Sequence, residues 1–83
     1  MMQPEQIKQL IEHGLAGAQV NVSGDGQHFE AHVVSDAFAG KTMVQQHQLV
    51  YRALGDKMKQ EIHALSIRTY TPEQWAQQAS GSA

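Results

Sequence analysis

No cysteine occurs among the 83 residues, which excludes a disulfide framework and any thiolate ligand or nucleophile supplied by the chain itself. No apolar run approaches the roughly 18–20 residues of a membrane span, and the N-terminus lacks the charged-then-apolar layout of a secretory signal. A soluble cytoplasmic protein is therefore expected, with no membrane partner. Catalytic signatures are missing too. There is no Ser/His/Asp order around a nucleophile elbow, no HExxH, no pair of acids placed for acid–base work, and no glycine-rich loop long enough to cradle a phosphate. These absences point to a non-enzymatic protein. No internal repeat, linker or low-complexity segment breaks the chain, so residues 1–83 are read as one domain, close to the lower limit for a self-sufficient core.

The formal charge of −2 is small but unevenly spread. Residues 1–40 carry Lys8 against five acids, a balance of −4, whereas residues 41–68 carry Lys41, Arg52, Lys57, Lys59 and Arg68 against two acids, a balance of +3. Such an asymmetry steers an acidic partner or simply solvates a face, and the second is the ordinary case.

The most informative stretch is Ile62 to Trp75. Leu65, Ile67 and Thr69 alternate with Ser66, Arg68 and Tyr70, the period of a half-buried strand. Thr71, Pro72 and Gln74 then supply a capping box with proline at the first helical position, so a helix starts at once. Trp75 in its first turn is expected to fold back over the sheet and be buried. His63 stands just ahead of the strand, at its open end.

Earlier in the chain, Ile7, Leu10, Ile11 and Leu15 recur at helical spacing after Pro4, with Gly14 or Gly17 as the stop. Val20 and Val22, then Phe29, Ala31 and Val33, alternate with polar residues across Gly24-Asp25-Gly26, which predicts an antiparallel hairpin. His28 falls on the rim of that hairpin, His32 on its polar face and His13 near the end of the first helix. Phe38 is expected to tuck inward. Thr42 and Gln45 cap a helix over Met43 to Leu54, whose apolar stripe is read as Met43, His47, Val50 and Leu54, widened by Val44 and Tyr51. His47 inside that stripe is taken as structural. Gly55 ends the helix, Asp56 to Gln60 forms a short helical turn, and residues 80–83 are a fraying tail.

The order is helix, strand, strand, helix, short helix, strand, helix. It predicts an α+β two-layer sandwich, with a three-stranded mixed sheet carrying its helices on one face. That is also the order of the type II KH fold, whose members clamp a nucleic-acid backbone with a GXXG loop. The region taken to correspond, Phe38-Ala39-Gly40-Lys41-Thr42, holds one glycine and no second. The clamp is missing.

Phe38-x-Gly40, Val44-x-x-His47-x-x-Val50-Tyr51-x-x-Leu54, His63-Ala64-Leu65-Ser66-Ile67 and Thr71-Pro72-x-x-Trp75 together resemble the BolA family. The Ser23-to-Phe29 hairpin most resembles its bacterial IbaG branch, and the likeness runs from about Val20 to Trp75. The resemblance implies a stress-response accessory protein of iron homeostasis. Such a protein partners a monothiol glutaredoxin and helps hold or pass a [2Fe–2S] cluster, with glutathione arriving on the partner's side. It also implies that the family's cluster histidine falls on His63. The second ligand, usually a His or Cys of the first hairpin, has His28 as its nearest candidate. Imidazole suits iron, raises the potential of such centres when it replaces thiolate, and ionises near pH ~6.5, which fits transfer better than storage. Some relatives are DNA-binding regulators, so nucleic-acid contact through Lys41, Arg52, Lys57, Lys59 and Arg68 is the other reading. With few phosphate anchors on Met43–Leu54, that binding is expected to be weak. Self-association as a homodimer is left open.

Overall fold

Pro4 opens α1 (Pro4–Gly14), where its missing N–H costs nothing, and Gln3 and Gln6 exchange side-chain and main-chain hydrogen bonds as a capping box. A computed structural model describes residues 2–60 and 62–81. After α1 come β1 (Gln19–Gly24), β2 (Phe29–Val34), a short 3-10 turn at Asp36–Phe38, α2 (Met43–Leu54), 3-10 turns at Gly55–Met58 and Ile62–Ala64, β3 (Leu65–Tyr70) and α3 (Pro72–Gly81). β1 and β2 pair antiparallel with Val22 opposite Ala31, and β2 and β3 pair parallel with Phe29 opposite Leu65 and Val34 opposite Tyr70. The sheet order is β1-β2-β3.

One sheet face carries Val20, Phe29, Ala31, Val33, Leu65 and Ile67, all buried against Ile7 and Ile11 of α1 and Val50 and Leu54 of α2. Phe38 and Met58 close the core from the connections, each fully buried. α1 and α2 cross closely because Gly14 has no side chain; a Cβ there would run into Ala53. In the hairpin turn, Gly26 takes a positive φ of 93°, and the Asp25 carboxylate accepts hydrogen bonds from the main-chain N–H groups of Gln27 and His28, both at 2.9 Å.

Three features differ from the sequence reading. The buried side of α2 is Gln46, Val50 and Leu54, whereas Met43, Val44 and Tyr51 are 70%, 66% and 44% exposed. The cause is Gln46. Its amide nitrogen donates to the carbonyls of Phe38 and Lys41, both at 3.1 Å, and its oxygen accepts from the Thr69 hydroxyl at 2.6 Å. This polar anchor turns the helix away from the face its apolar spacing suggests. Second, the helices do not all share one face. α3 follows β3 directly, and Trp75 reaches Tyr70 and His32 on the opposite side of the sheet, with ring centroids 5.0 Å and 6.3 Å apart. Trp75 is half-buried rather than buried, because a short C-terminal helix covers only the end of that face. Third, the α2-to-β3 connection consists of 3-10 turns, and its first link, Gly55 to Lys59, also contains a single glycine. α3 continues into the expected tail as far as Gly81, and residues 82 and 83 lie outside the described residues.

Candidate metal centre

Parallel pairing brings the beginnings of β2 and β3 to the same end of the sheet. Since Phe29 stands opposite Leu65, His28 lies one residue before β2 and His63 two residues before β3, at neighbouring strand mouths. Adjacent strands run about 4.8 Å apart, so the two residues sit at the same end of the sheet, and both are exposed. His63 sits on the 3-10 turn Ile62–Ala64, which ends where the strand ladder begins. His28 is set by the hairpin turn, where its N–H is tied to Asp25 Oδ1 and its carbonyl accepts from the Asp25 N–H at 3.2 Å. The His28 and Gln27 N–H groups, both donating to Asp25 Oδ1, hold its carboxyl below the usual carboxylate range, with the His28 amide the larger cause and the Gln27 amide the next.

Two exposed imidazoles on one rim can complete the terminal ligation of one iron and no more. Among the described residues, no three His, Cys, Asp or Glu side chains converge into a cage that would hold an ion on its own. The donor set suits iron chemically, but it needs thiolates from elsewhere.

The remaining histidines are differently placed. His32 is not a plain surface residue. Its ring stacks on Tyr70 with centroids 5.9 Å apart and an 8° tilt, and its Nε2 lies 2.8 Å from Glu30 Oε1. The Tyr70 hydroxyl lies 3.4 Å from Nδ1, so a neutral ring that donates from Nε2 accepts from tyrosine at Nδ1. Glu30 also meets Arg68 at 3.4 Å, a surface pair worth roughly 0.2–1 kcal/mol. Parity along β2 and β3 was the available signal, for it puts Glu30, His32, Arg68 and Tyr70 on one face. His47 is half-buried on the flank of α2, beside Met43 and β3, and His13 is exposed at the end of α1.

The basic residues do not form one line. Lys41 and Arg52 share a depression of about 400 Å³ with Gln45 and Gln48 on α2. Lys59 borders a separate one beside Tyr51 and Met58, Lys57 is exposed on the turn between, and Arg68 lies on the outer sheet face, engaged with Glu30. Among the described residues, no helix is long and apolar enough to cross a membrane.

A hairpin, a helical crossover and a parallel third strand, with the two long helices on one face, define an α+β domain of the type II KH order. Residues 8–74 match the family of BolA-like proteins, and the chain belongs to that family. It is 38% identical over 76 residues to the acid stress protein IbaG of Escherichia coli K12, covering 90% of each chain. It is 40% identical over 75 residues to the DNA-binding transcriptional regulator BolA of Vibrio cholerae, covering 90% of this chain and 68% of that one. The structure resembles that of a bolA protein homologue from Coxiella burnetii, with a TM-score of 0.82, 48% identity, and coverage of 92% of this chain and 99% of that one.

Proposed function

We propose that this protein is a non-enzymatic accessory protein that shares a [2Fe–2S] cluster with a monothiol glutaredoxin, with His63 as one terminal ligand and His28 as the candidate second. The observation that carries this reading is the exposure of both imidazoles at one end of the β2–β3 pair in a chain without cysteine. Membership of the BolA-like family supports it, and the resemblance of His63-Ala64-Leu65-Ser66-Ile67 to the family's motif implies that its cluster histidine falls on His63. The cluster is cargo rather than a resident group. Its two irons need four terminal ligands in all, and this chain offers two nitrogens. The glutaredoxin would supply thiolates from its active-site cysteine and bound glutathione.

The test is to mix the purified chain with cluster-loaded monothiol glutaredoxin and follow visible absorption and circular dichroism. The expected result is a spectrum shifted toward mixed nitrogen and sulfur ligation, which His63→Ala erases while its thermal melt stays within about 0.5 kcal/mol of the parent. The isolated chain should be colourless. A stable cluster on the lone protein, or a mixed sample with an unchanged all-thiolate spectrum, refutes the reading. So does a strongly destabilised His63→Ala, which would make the histidine structural. Protons compete with iron for imidazole nitrogen, so the mixed-ligand signal should fade as the medium is acidified, before the fold is lost.

A second reading, binding to DNA, has its own observation: Lys41 and Arg52 flank glutamines in one depression on α2, and glutamine can read adenine. A salt titration against mixed-sequence duplex separates the two. Phosphate binding weakens steeply with salt, in proportion to the number of cations engaged, and the dispersed basic residues predict a shallow slope.

A further inference from the structure

β3 is an edge strand, because in the order β1-β2-β3 its outer side meets no other strand among the described residues. The Tyr70 carbonyl accepts from the Ser35 N–H at 3.0 Å, so the main chain of Tyr70 faces the β2 side. Alternation along a strand then turns the N–H and C=O groups of Ile67 and Thr69 outward. Natural edges are commonly blunted by proline, lysine or a bulge. Leu65–Tyr70 has no proline or lysine, carries one charged side chain, Arg68, and pairs with β2 without interruption. Beside this edge runs a trough of about 350 Å³, lined by Met43 and His47 of α2 and by residues 66–70 of β3. Met43, the most exposed large apolar residue described, forms its shoulder, and exposed Val44 follows it on α2.

We propose that this edge is the docking site of an extended, acidic segment of a partner protein, which adds as a fourth strand on β3 and lays alternate apolar side chains against Met43. Main-chain pairing would supply affinity and the trough the side-chain preference, as in other cases of strand addition. Charge selects the occupant. Arg68 lies on the strand and is the one Lys or Arg lining the trough among the described residues, its guanidinium also reaching Glu30 of β2, and exposed Lys41 stands two residues before Met43. A second copy fits less well. The β3 edge of a second copy (Leu65–Tyr70) holds no carboxylate to meet Arg68, and the neutral edge β1 (Gln19–Gly24) offers it no counter-charge either. The proposal does not depend on His63, so it stands or falls separately from cluster sharing.

The experiment uses the isotope-labelled full chain and three probe peptides: alternating valine and glutamate, alternating valine and lysine, and the glutamate peptide interrupted by prolines, which cannot donate to a ladder. Amide spectra should move at Met43, Val44 and residues 66–70 with the glutamate peptide only, and hydrogen exchange should slow at Ile67 and Thr69. Arg68→Glu and Met43→Asp, both at exposed positions, should each weaken binding by about tenfold or more, since like charges placed together at an interface are strongly unfavourable. Several results overturn the proposal: equal binding of the lysine peptide, shifts that miss the trough, or no binding of any probe. Concentration-dependent protection of Ile67 and Thr69 in the free chain would assign the edge to self-pairing instead. A single-stranded oligonucleotide that moves these residues where the glutamate peptide does not would assign it to nucleic acid.

Discussion

Gln46 holds α2 over β3, and removing its side chain should loosen the whole helical layer. It is 9% exposed and makes three hydrogen bonds: two donated by its amide nitrogen to the carbonyls of Phe38 and Lys41, and one accepted from the Thr69 hydroxyl. In Gln46→Ala the Phe38 carbonyl keeps the N–H of Lys41 at 3.2 Å, while the Lys41 carbonyl and the Thr69 hydroxyl lose this partner at part-buried positions. At about 1 kcal/mol for each bond, less a few tenths regained from alanine's helix propensity, the loss comes to about 2–3 kcal/mol. For a domain of this size that lowers Tm by roughly 10–20 °C, measurable by urea unfolding followed by far-UV circular dichroism. Gln46→Glu is the sharper variant. Its carboxylate can only accept, yet it faces two carbonyls, so its folded pKa is raised above the unfolded value. The penalty is absent when the acid is protonated in both states and develops as pH rises through the unfolded pKa. The gap between variant and parent should therefore widen from acid to neutral pH. A loss below about 1 kcal/mol in Gln46→Ala, or a Gln46→Glu variant that tracks the parent at every pH, refutes the anchoring role.

Trp75→Ala should cost about 1–3 kcal/mol, from two aromatic contacts of roughly 0.5–1.5 kcal/mol each. That is below the 3–5 kcal/mol typical of a fully buried ring, and thermal melts with the ring signals of His32 would show it. Asp25 has a folded pKa below its unfolded one, so its contribution is present above the unfolded value and is lost as pH falls through the folded value. Asp25→Asn keeps an acceptor oxygen without the charge and should remove that acid dependence from the amide signals of the 25–28 turn. A larger residue at Gly14 must displace Ala53. Gly14→Val should cost about 1–3 kcal/mol by overpacking, and Ala53→Gly in the same chain should restore only a small part of it, because the main chain of residue 53 also stands in the way of the new Cβ.

Much of the architecture is local and therefore visible in the residues themselves. Period-two alternation in Gln19–Gly24, Phe29–Val34 and Leu65–Tyr70 defines three strands, and the boxes at Thr42–Gln45 and Thr71–Gln74 mark two helix starts; both boxes form with the expected partners. Capping and pleating act within a few residues, so they need no knowledge of the rest of the chain. The place of His63 just ahead of a strand was legible for the same reason, whereas its reading as a cluster ligand came from the family resemblance. What tertiary structure decided depends on partners distant in sequence. Gln46 is polar and reads as surface, yet it is buried because Thr69, 23 residues away, and two carbonyls of the preceding loop satisfy it. That anchor, invisible to hydrophobic spacing, exposes Met43, Val44 and Tyr51. The common rim of His28 and His63 likewise follows only from the parallel register of β2 and β3, which is set by how the crossover helix packs. Local sequence chose the elements here, and long-range hydrogen bonding and register chose which side chains they bury, display and bring together.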